Sequence, residues 1–411
     1  MLQALLFILS RNLQTPWLES HCSALVSSPR LVRTEPRVIL CGQWTHLKPL
    51  EHLPAIEAAE ELSLVAVYSR SQSTAESLAS EAKSNPATYY DNPDTAGKSL
   101  DDLLARTDIS AVIVCLPILN QPDVIMKSLA AGKHVLSEKP IGKDLATGAS
   151  LLEYHAALPS PPIWAVAENF RFQASLQYAA SKVKEVGGKV VTFHLRMNGF
   201  VRETDKYFNT PCELPPTDLI RRLSLYYPIE MLADSMIGRK IPEYQGGFLL
   251  DGGVHFVAGL RLLLGAAGDE VQKIACFSTL LEEKLLPVDT VHAIVATRGG
   301  SNGTICISFG TEFKSGLEVE IVTTTGAVTW NPTEVKVVRK DRSEDKTEEK
   351  EIFARESGVK PEVVAFAKSI GTGSVNPLQA PGEALLDLEI LQTLLESGES
   401  GASIKTLSHS R

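Results

Sequence analysis

Two short stretches of this chain carry residue types at spacings that suit proton chemistry. In FLLDGGVHFVAG, residues 248 to 259, one aspartate and one histidine stand among Phe248, Leu249, Leu250, Val254, Phe256 and Val257. Taken singly, Asp251 would serve as a helix N-cap and His255 as a satisfied core histidine. As a pair they say more. In a helix starting at Asp251, positions i and i+4 lie on one face about 6 Å apart at Cβ, where both can address one small molecule. Gly252 and Gly253 each cost such a helix roughly 1 kcal/mol against alanine, and what they offer in return is room for a ligand beside the backbone. The other stretch is SEKPIGK, with Lys139 beside Glu138 and ahead of Pro140. The proline biases the lysine to extended backbone and permits a cis bond. A lysine here is either a surface cation or, in a crevice, an acid–base group whose burial lowers its pKa toward neutrality.

Those side chains need a scaffold, and the hydrophobic pattern supplies one. From residue 37 the apolar runs RVILC, LSLVAVYS, SAVIVCLP, KHVLSEKP and PPIWAVAEN alternate with amphipathic stretches such as TAESLASEA and DVIMKSLAAG. Short apolar runs between helices predict a parallel sheet covered on both faces. After a helix near SLQYAASKVKEVG the character changes. VVTFHLRMNGF, VQKIACFSTLL, TVHAIVATRG, GTICISFGTEF, LEVEIVTTTGAVTW and EVKVVRKDR are strand-like, with Gly, Asn and Ser turns and little helix between them. They predict a large open, mostly antiparallel sheet. The mixed-sign run RKDRSEDKTEEKE reads as a solvated hairpin, and the helices PEVVAFAKSIG and GEALLDLEILQTLLESG close the chain. A parallel βαβ sheet binds ligands at the carboxyl ends of its strands, which is where SEKP falls.

Composition narrows the partners. A chain of 411 residues has room for two domains, with 44% hydrophobic and 22% charged residues. A formal net charge of −9 argues against nucleic acid or an anionic membrane as the main partner. The six cysteines, Cys22, Cys41, Cys115, Cys212, Cys276 and Cys306, are scattered without a CxxC pair, which predicts a reducing compartment and neither a metal site nor a disulfide framework. The apolar MLQALLFIL is too short to span a bilayer and lacks a positive leader. Residues 1–36 read as a disordered or misassigned extension of a cytoplasmic protein; Arg11, Arg30 and Arg33 make a mitochondrial presequence the alternative.

SEKPIGKDL, followed about a hundred residues later by GGFLLDGGVHF, resembles the Gfo/Idh/MocA family of NAD(P)-dependent oxidoreductases over roughly residues 37 to 400. The resemblance implies a Rossmann dinucleotide-binding domain, here 37–167, ahead of an open-sheet substrate and oligomerisation domain, here 168–400. It implies that Lys139 hydrogen-bonds and protonates the reacting oxygen, that His255 is the general base or acid, and that Asp251 orients substrate hydroxyls. Asn169 and Arg171 of AENFRF match positions flanking the substrate. Glu138, Lys139, Gly42, and Leu116 with Pro117 after the third run, fall at cofactor positions. Past the second strand there is no acid for the ribose hydroxyls of NAD; Ser69 and Arg70 suit a 2′-phosphate instead, so NADP(H) is expected ahead of NAD(H).

The chain departs from the family pattern in three places. The loop that should read G-x-G-x-x-G keeps Gly42 alone, with Trp44 and His46 in the loop. Asn120 and Gln121 stand where the family often has a histidine. Residues 210–238, TPCELPPTDLIRRLSLYYPIEMLADSMIG, are an irregular Pro-rich insertion. With the N-terminus, it reads as retained intron or gene-model sequence, a genuine lid being the competitor and a spliced transcript the test. The expected activity is hydride transfer to or from a hydroxyl or carbonyl carbon of a sugar, polyol or similar small molecule, by a homo-oligomer joined through the open sheet. The rival readings are a non-catalytic NADP-responsive regulator of the same fold, similar to the galactose-pathway repressors of fungi, and a member that has lost cofactor binding.

Overall fold

A computed structural model describes residues 35–42, 51–202, 246–340 and 345–409. Trp44, His46, the expected N-terminal extension up to residue 34 and the 210–238 stretch lie outside the described residues.

Val38, Ile39, Leu40 and Cys41 are each 0% exposed, so the first strand, β1 (Arg37–Gly42), is covered on both faces. That is the environment in which a continuous β-branched and aliphatic run is stable as a parallel strand. The alternation continues through α1 (His52–Glu57), β2 (Ser63–Tyr68), α2 (Gln72–Glu81), β3 (Ala87–Tyr89), α3 (Leu100–Leu104), β4 (Ala111–Cys115), α4 (Gln121–Ala130), β5 (His134–Glu138), α5 (Leu145–Ala156) and β6 (Trp164–Ala167). Side-chain caps set several helix starts. Ser71 accepts from the Thr74 amide, Ser99 and Asp102 form a capping box, and Asp144 accepts from the Thr147 amide. The strands form one parallel sheet in the order β3-β2-β1-β4-β5-β6. The order reverses between β1 and β4, and a doubly wound sheet opens its ligand crevice there.

A second, nine-stranded sheet follows α6 (Ala174–Val186). It comprises β7 (Val190–Asn198), then, after α7 (Gly247–Ala266), β8 (Val271–Thr279), β9 (Thr290–Thr297), β10 (Asn302–Ser308), β11 (Gly316–Thr323), β12 (Gly326–Asn331), β13 (Glu334–Lys340) and β14 (Lys346–Ile352). All its pairings are antiparallel except β7 with β10. The expected charged hairpin is present as β13 and β14, with Lys336 to Glu348 and Arg339 to Glu349 bridged across it. Charge on the outermost strand blunts edge-to-edge pairing.

Three details depart from the expected organisation. The short β3 has no long apolar run and is not visible in the periodicity. Helix α8 (Val359–Thr372) returns to the first sheet, where Val359, Val363 and Phe366 pack with Val38, Leu40, Leu53 and Ala165. After α9 (Pro381–Glu399), a further strand, β15 (Lys405–Thr406), pairs with β8 beyond residue 400. Among the described residues, α7 alone is long and apolar enough to cross a bilayer, and most of it is buried within the fold. It is a core helix, packed on α6 and α9 through Gly259 beside Leu176 and Gly253 beside Leu391.

Candidate active site

The ends of β5 and β6 meet one face of α7. Lys139 directly follows β5, joined to Pro140 by a cis peptide bond. Its ammonium donates to the Asp251 carboxylate at 2.7 Å and to the Asp251 carbonyl at 3.0 Å. One turn further along the helix, Nδ1 of His255 lies 2.7 Å from Oε1 of Glu168, the residue directly after β6. The ring of Phe170 is stacked on the imidazole, with centroids 4.6 Å apart and planes at 13°. Two parallel strands and one helix thus hold two acid–base pairs side by side, with the side chains of Lys139, Asp251 and His255 15%, 40% and 18% exposed toward the crevice.

The helix begins at Gly247, four residues before the expected start, so Asp251 is a second-turn residue and not a cap. The i and i+4 relation to His255 survives because it depends on helical spacing, not on the boundary. The glycines have a different purpose from the one expected. A Cβ on Gly252 would stand 2.7 Å from the Phe309 ring, and one on Gly253 would stand 3.1 Å from Leu391. Both serve close packing of α7 on its neighbours and do not open space for a ligand.

The expected lowering of the Lys139 pKa is also corrected. Burial pulls it down, but the carboxylates of Asp251, Glu138 and Glu168 outweigh burial and hold it above the ordinary lysine value. Lys139 is therefore a fixed ammonium, suited to donating a hydrogen bond and stabilising negative charge on oxygen. Glu168 is 1% exposed. Burial would raise its pKa, but His255, Arg171 and Lys139 prevail and hold it below the usual carboxylate range.

Arg171 does not face a substrate. It is 3% exposed, and its guanidinium binds both oxygens of Asp387 at 2.7 and 2.5 Å. Asp387 also accepts from Arg261 at 2.6 Å, and Arg261 reaches Glu383 at 2.8 Å. This buried network ties the turn after β6 to α7 and α9. The Asn169 amide is bonded to the Ser357 carbonyl at 2.5 Å, holding the segment that leads into α8.

The cofactor positions gather at the carboxyl end of the first sheet. Gly42 is paired in register with Cys115, and Leu116 and Pro117 follow directly. Ser69 is buried at the end of β2, and Arg70 beside it is exposed. Folding brings Asp91 to this edge from beyond β3, its amide on the Arg70 carbonyl and its carboxylate accepting from the Tyr68 hydroxyl at 2.6 Å. The residues present fit a dinucleotide. Both amide atoms of Gln121, at the start of α4, are buried without a partner, and so is Nε2 of His52 on α1. Unmatched donors and acceptors at a strand-end crevice are what a polar ligand satisfies. His52, Cys115 and Glu138 bring donor atoms within 4.8 Å of one another. Burial pushes the Cys115 thiol well above its ordinary pKa, so it is a poor source of the thiolate a metal needs.

Glu168 and Phe170 were legible only as part of AENFRF. The signal for Glu168 is the one that marks Lys139: a charged residue at the carboxyl end of a parallel strand.

A doubly wound parallel sheet joined to an open sheet, with a lysine and a histidine at strand ends and crevice, defines a dinucleotide-dependent oxidoreductase. Sequence comparison is specific about which. The Gfo/Idh/MocA profiles match twice, as "oxidoreductase family, NAD-binding Rossmann fold" over residues 37–158 and as "oxidoreductase family, C-terminal alpha/beta domain" over residues 238–406. Dehydrogenase FPY6 of Fusarium mangiferae is 48% identical over 355 residues, 86% of this chain and 94% of the relative. An oxidoreductase of Thermotoga maritima superposes with a TM-score of 0.72 at 26% identity, covering 91% of this chain and 98% of that one. KijD10, a 3-ketoreductase of Actinomadura kijaniata in complex with NADP and TDP-benzene, shares the fold with a TM-score of 0.64 at 21% identity, covering 89% of this chain and 98% of that one. The chain belongs to the Gfo/Idh/MocA oxidoreductase family and acts on CH–OH groups through a NAD(P)-binding Rossmann domain.

Proposed function

We propose that this chain is an NADP(H)-dependent dehydrogenase or reductase that interconverts a hydroxyl and a carbonyl on a sugar, polyol or similar small molecule. The observation that carries the reading is the paired arrangement of Lys139 with Asp251 and of His255 with Glu168 on one wall of the strand-end crevice. Lys139 donates a hydrogen bond to the reacting oxygen, and its permanent charge favours negative charge developing there. His255 takes the hydroxyl proton in oxidation and returns it in reduction. Asp251 holds the ammonium in place and orients a substrate hydroxyl beside it. A bound nicotinamide dinucleotide supplies the hydride acceptor or donor. A ligand-responsive regulator has no use for two aligned acid–base pairs, and this favours catalysis.

Two features support NADP(H). Arg70 and Ser69 stand where the ribose 2′ group is read, and the carboxylate of Asp91 is engaged by Tyr68, away from the role of an NAD-selecting acid. Gly42, Leu116, Pro117, Glu138 and the orphaned Gln121 amide complete the proposed cofactor site. The proposed partner is a second copy of the chain, on the outer face of the large sheet. Phe277 on β8 and Ile294 on β9 are 69% and 66% exposed on that face, in adjacent, paired strands. Work in the cytoplasm is consistent with the free buried thiols Cys41, Cys115 and Cys276.

The first test is a fluorescence titration of the full chain with NADPH and with NADH, followed by turnover against a panel of aldoses, ketoses and polyols. Saturable binding with NADPH preferred, and turnover on at least one member of the panel, is expected. A folded chain that binds neither dinucleotide ends the proposal.

A further inference from the structure

The two nitrogens of an imidazole differ only when a neighbour distinguishes them, and His255 has such a neighbour. Nδ1 lies 2.7 Å from Oε1 of Glu168, and the stacked Phe170 ring fixes the imidazole plane. Burial works against ionisation of Glu168, but His255, Arg171 and Lys139 outweigh it and leave the carboxyl ionised. A carboxylate accepts and cannot donate, so Nδ1 keeps its hydrogen and the lone pair of the neutral ring falls on Nε2. Behind this pair is a second acid that the proposed mechanism leaves unused. Glu362 on α8 is 0% exposed, and neither of its carboxyl oxygens meets a hydrogen-bond donor. The charged and titratable groups around it are Glu138 from β5, Glu168 from the end of β6, Cys115 from β4 and Arg171 from the turn after β6. The Arg171 guanidinium is already committed to Asp387. An ionised carboxyl there would have two like charges for company and no donor, which favours the neutral acid.

We propose that Glu168 is the positioning residue that makes Nε2 of His255 the proton-accepting atom, and that Glu362 is held behind it as the uncharged acid, so that Glu362 adds no further negative charge beside the Glu168–His255 pair. The inference rests on His255 being the acid–base group of the proposed function. In oxidation the substrate O–H bond breaks as its proton bonds to Nε2, and Nδ1 keeps its own hydrogen. The imidazolium then faces Glu168, while the electron pair left on oxygen completes the C=O bond as hydride leaves the carbon for the nicotinamide. In reduction the same proton passes from Nε2 to the carbonyl oxygen as the carbon accepts hydride.

The test is 15N NMR of the full chain labelled at histidine, without substrate, with His255→Gln identifying the resonance. The wild-type ring is expected to be protonated at Nδ1 when neutral. In Glu168→Gln the amide can donate to Nδ1, which moves the ring hydrogen to Nε2. That variant should lose about a hundredfold or more in kcat, with KM changed by less than about threefold, and Glu168→Asp should recover part of the loss. An infrared difference between wild type and Glu362→Gln at neutral pH should show a carboxylic acid C=O band lost from the wild type. A wild-type ring protonated at Nε2, full kcat in Glu168→Gln while His255→Gln is inactive, or carboxylate bands in the Glu362 difference would overturn the proposal. If His255→Gln itself turns over like wild type, it is the reading of His255 that fails; the tautomer measurement needs no turnover and separates the two.

Discussion

At the scale of single residues the proposed function assigns different work to Lys139 and His255. Three carboxylates surround Lys139 and hold it as an ammonium, and one hydrogen-bonded carboxylate orients His255, which carries the proton in the proposed function. Lys139→Ala is therefore expected to lower kcat by about a hundredfold or more while the dissociation constant for NADPH changes little. Wild-type turnover in that variant would remove the lysine from the mechanism. Arg70 is exposed at the end of β2 and should act on cofactor choice alone. Arg70→Ala is expected to weaken NADPH binding by about tenfold to a hundredfold and NADH binding by much less, since one charged hydrogen-bonding contact is worth about 1.5–3 kcal/mol. Equal losses for both dinucleotides would place the 2′-phosphate elsewhere.

At the scale of elements, α7 and α8 trade stability for the site they build. Gly252 lets α7 approach Phe309, which is 5% exposed and in edge contact with Phe248. Gly252→Ala gains about 1 kcal/mol of helix propensity but forces a rigid ring out of place, and such overpacking costs about 1–3 kcal/mol. Urea unfolding should show a net loss of about 1 kcal/mol; a more stable variant would mean that the ring moves freely. Helix α8 carries Glu362, whose folded pKa is raised by burial and by Glu138 and Glu168. The folded state therefore holds a proton that the unfolded chain releases above about pH 4.3. The folded state binds more protons in that window, so stability falls as pH rises from there toward the raised folded pKa. Glu362→Gln removes this slope and should melt higher than wild type at neutral pH, with the gap closing near pH 4. Parallel melting curves across that range would show that Glu362 is ionised in the fold.

At the scale of the whole molecule, the described residues place helices on one face of the large sheet and Phe277 and Ile294 exposed on the other. A self-associating protein buries exposed apolar residues of this kind against a copy of themselves. Phe277→Asp combined with Ile294→Asp is expected to convert the assembled form to monomer in light-scattering chromatography, with the far-UV spectrum unchanged. A wild-type chain that already elutes as a monomer would dismiss the partner.

The sequence by itself determined the two sheets and the order in which they are built. Runs such as VILC and VIVC are legible because a parallel strand buried on both faces needs apolar side chains at every position, and the alternating strands of the second sheet are legible because one face is wet. Lys139, Asp251 and His255 were legible as well, since position after a strand and i, i+4 spacing are local properties. Only the tertiary structure decided what depends on neighbours distant in the chain. Glu168 became the partner of His255, 87 residues away, when β6 came up beside α7. Arg171 was drawn into the core by Asp387, 216 residues on, and Gly252 acquired its purpose from Phe309. The charge of Lys139 likewise follows from carboxylates gathered from three elements. A pKa is set by the fields and the burial around a group, and for Lys139 the neighbouring Glu138 supplies only part of that field.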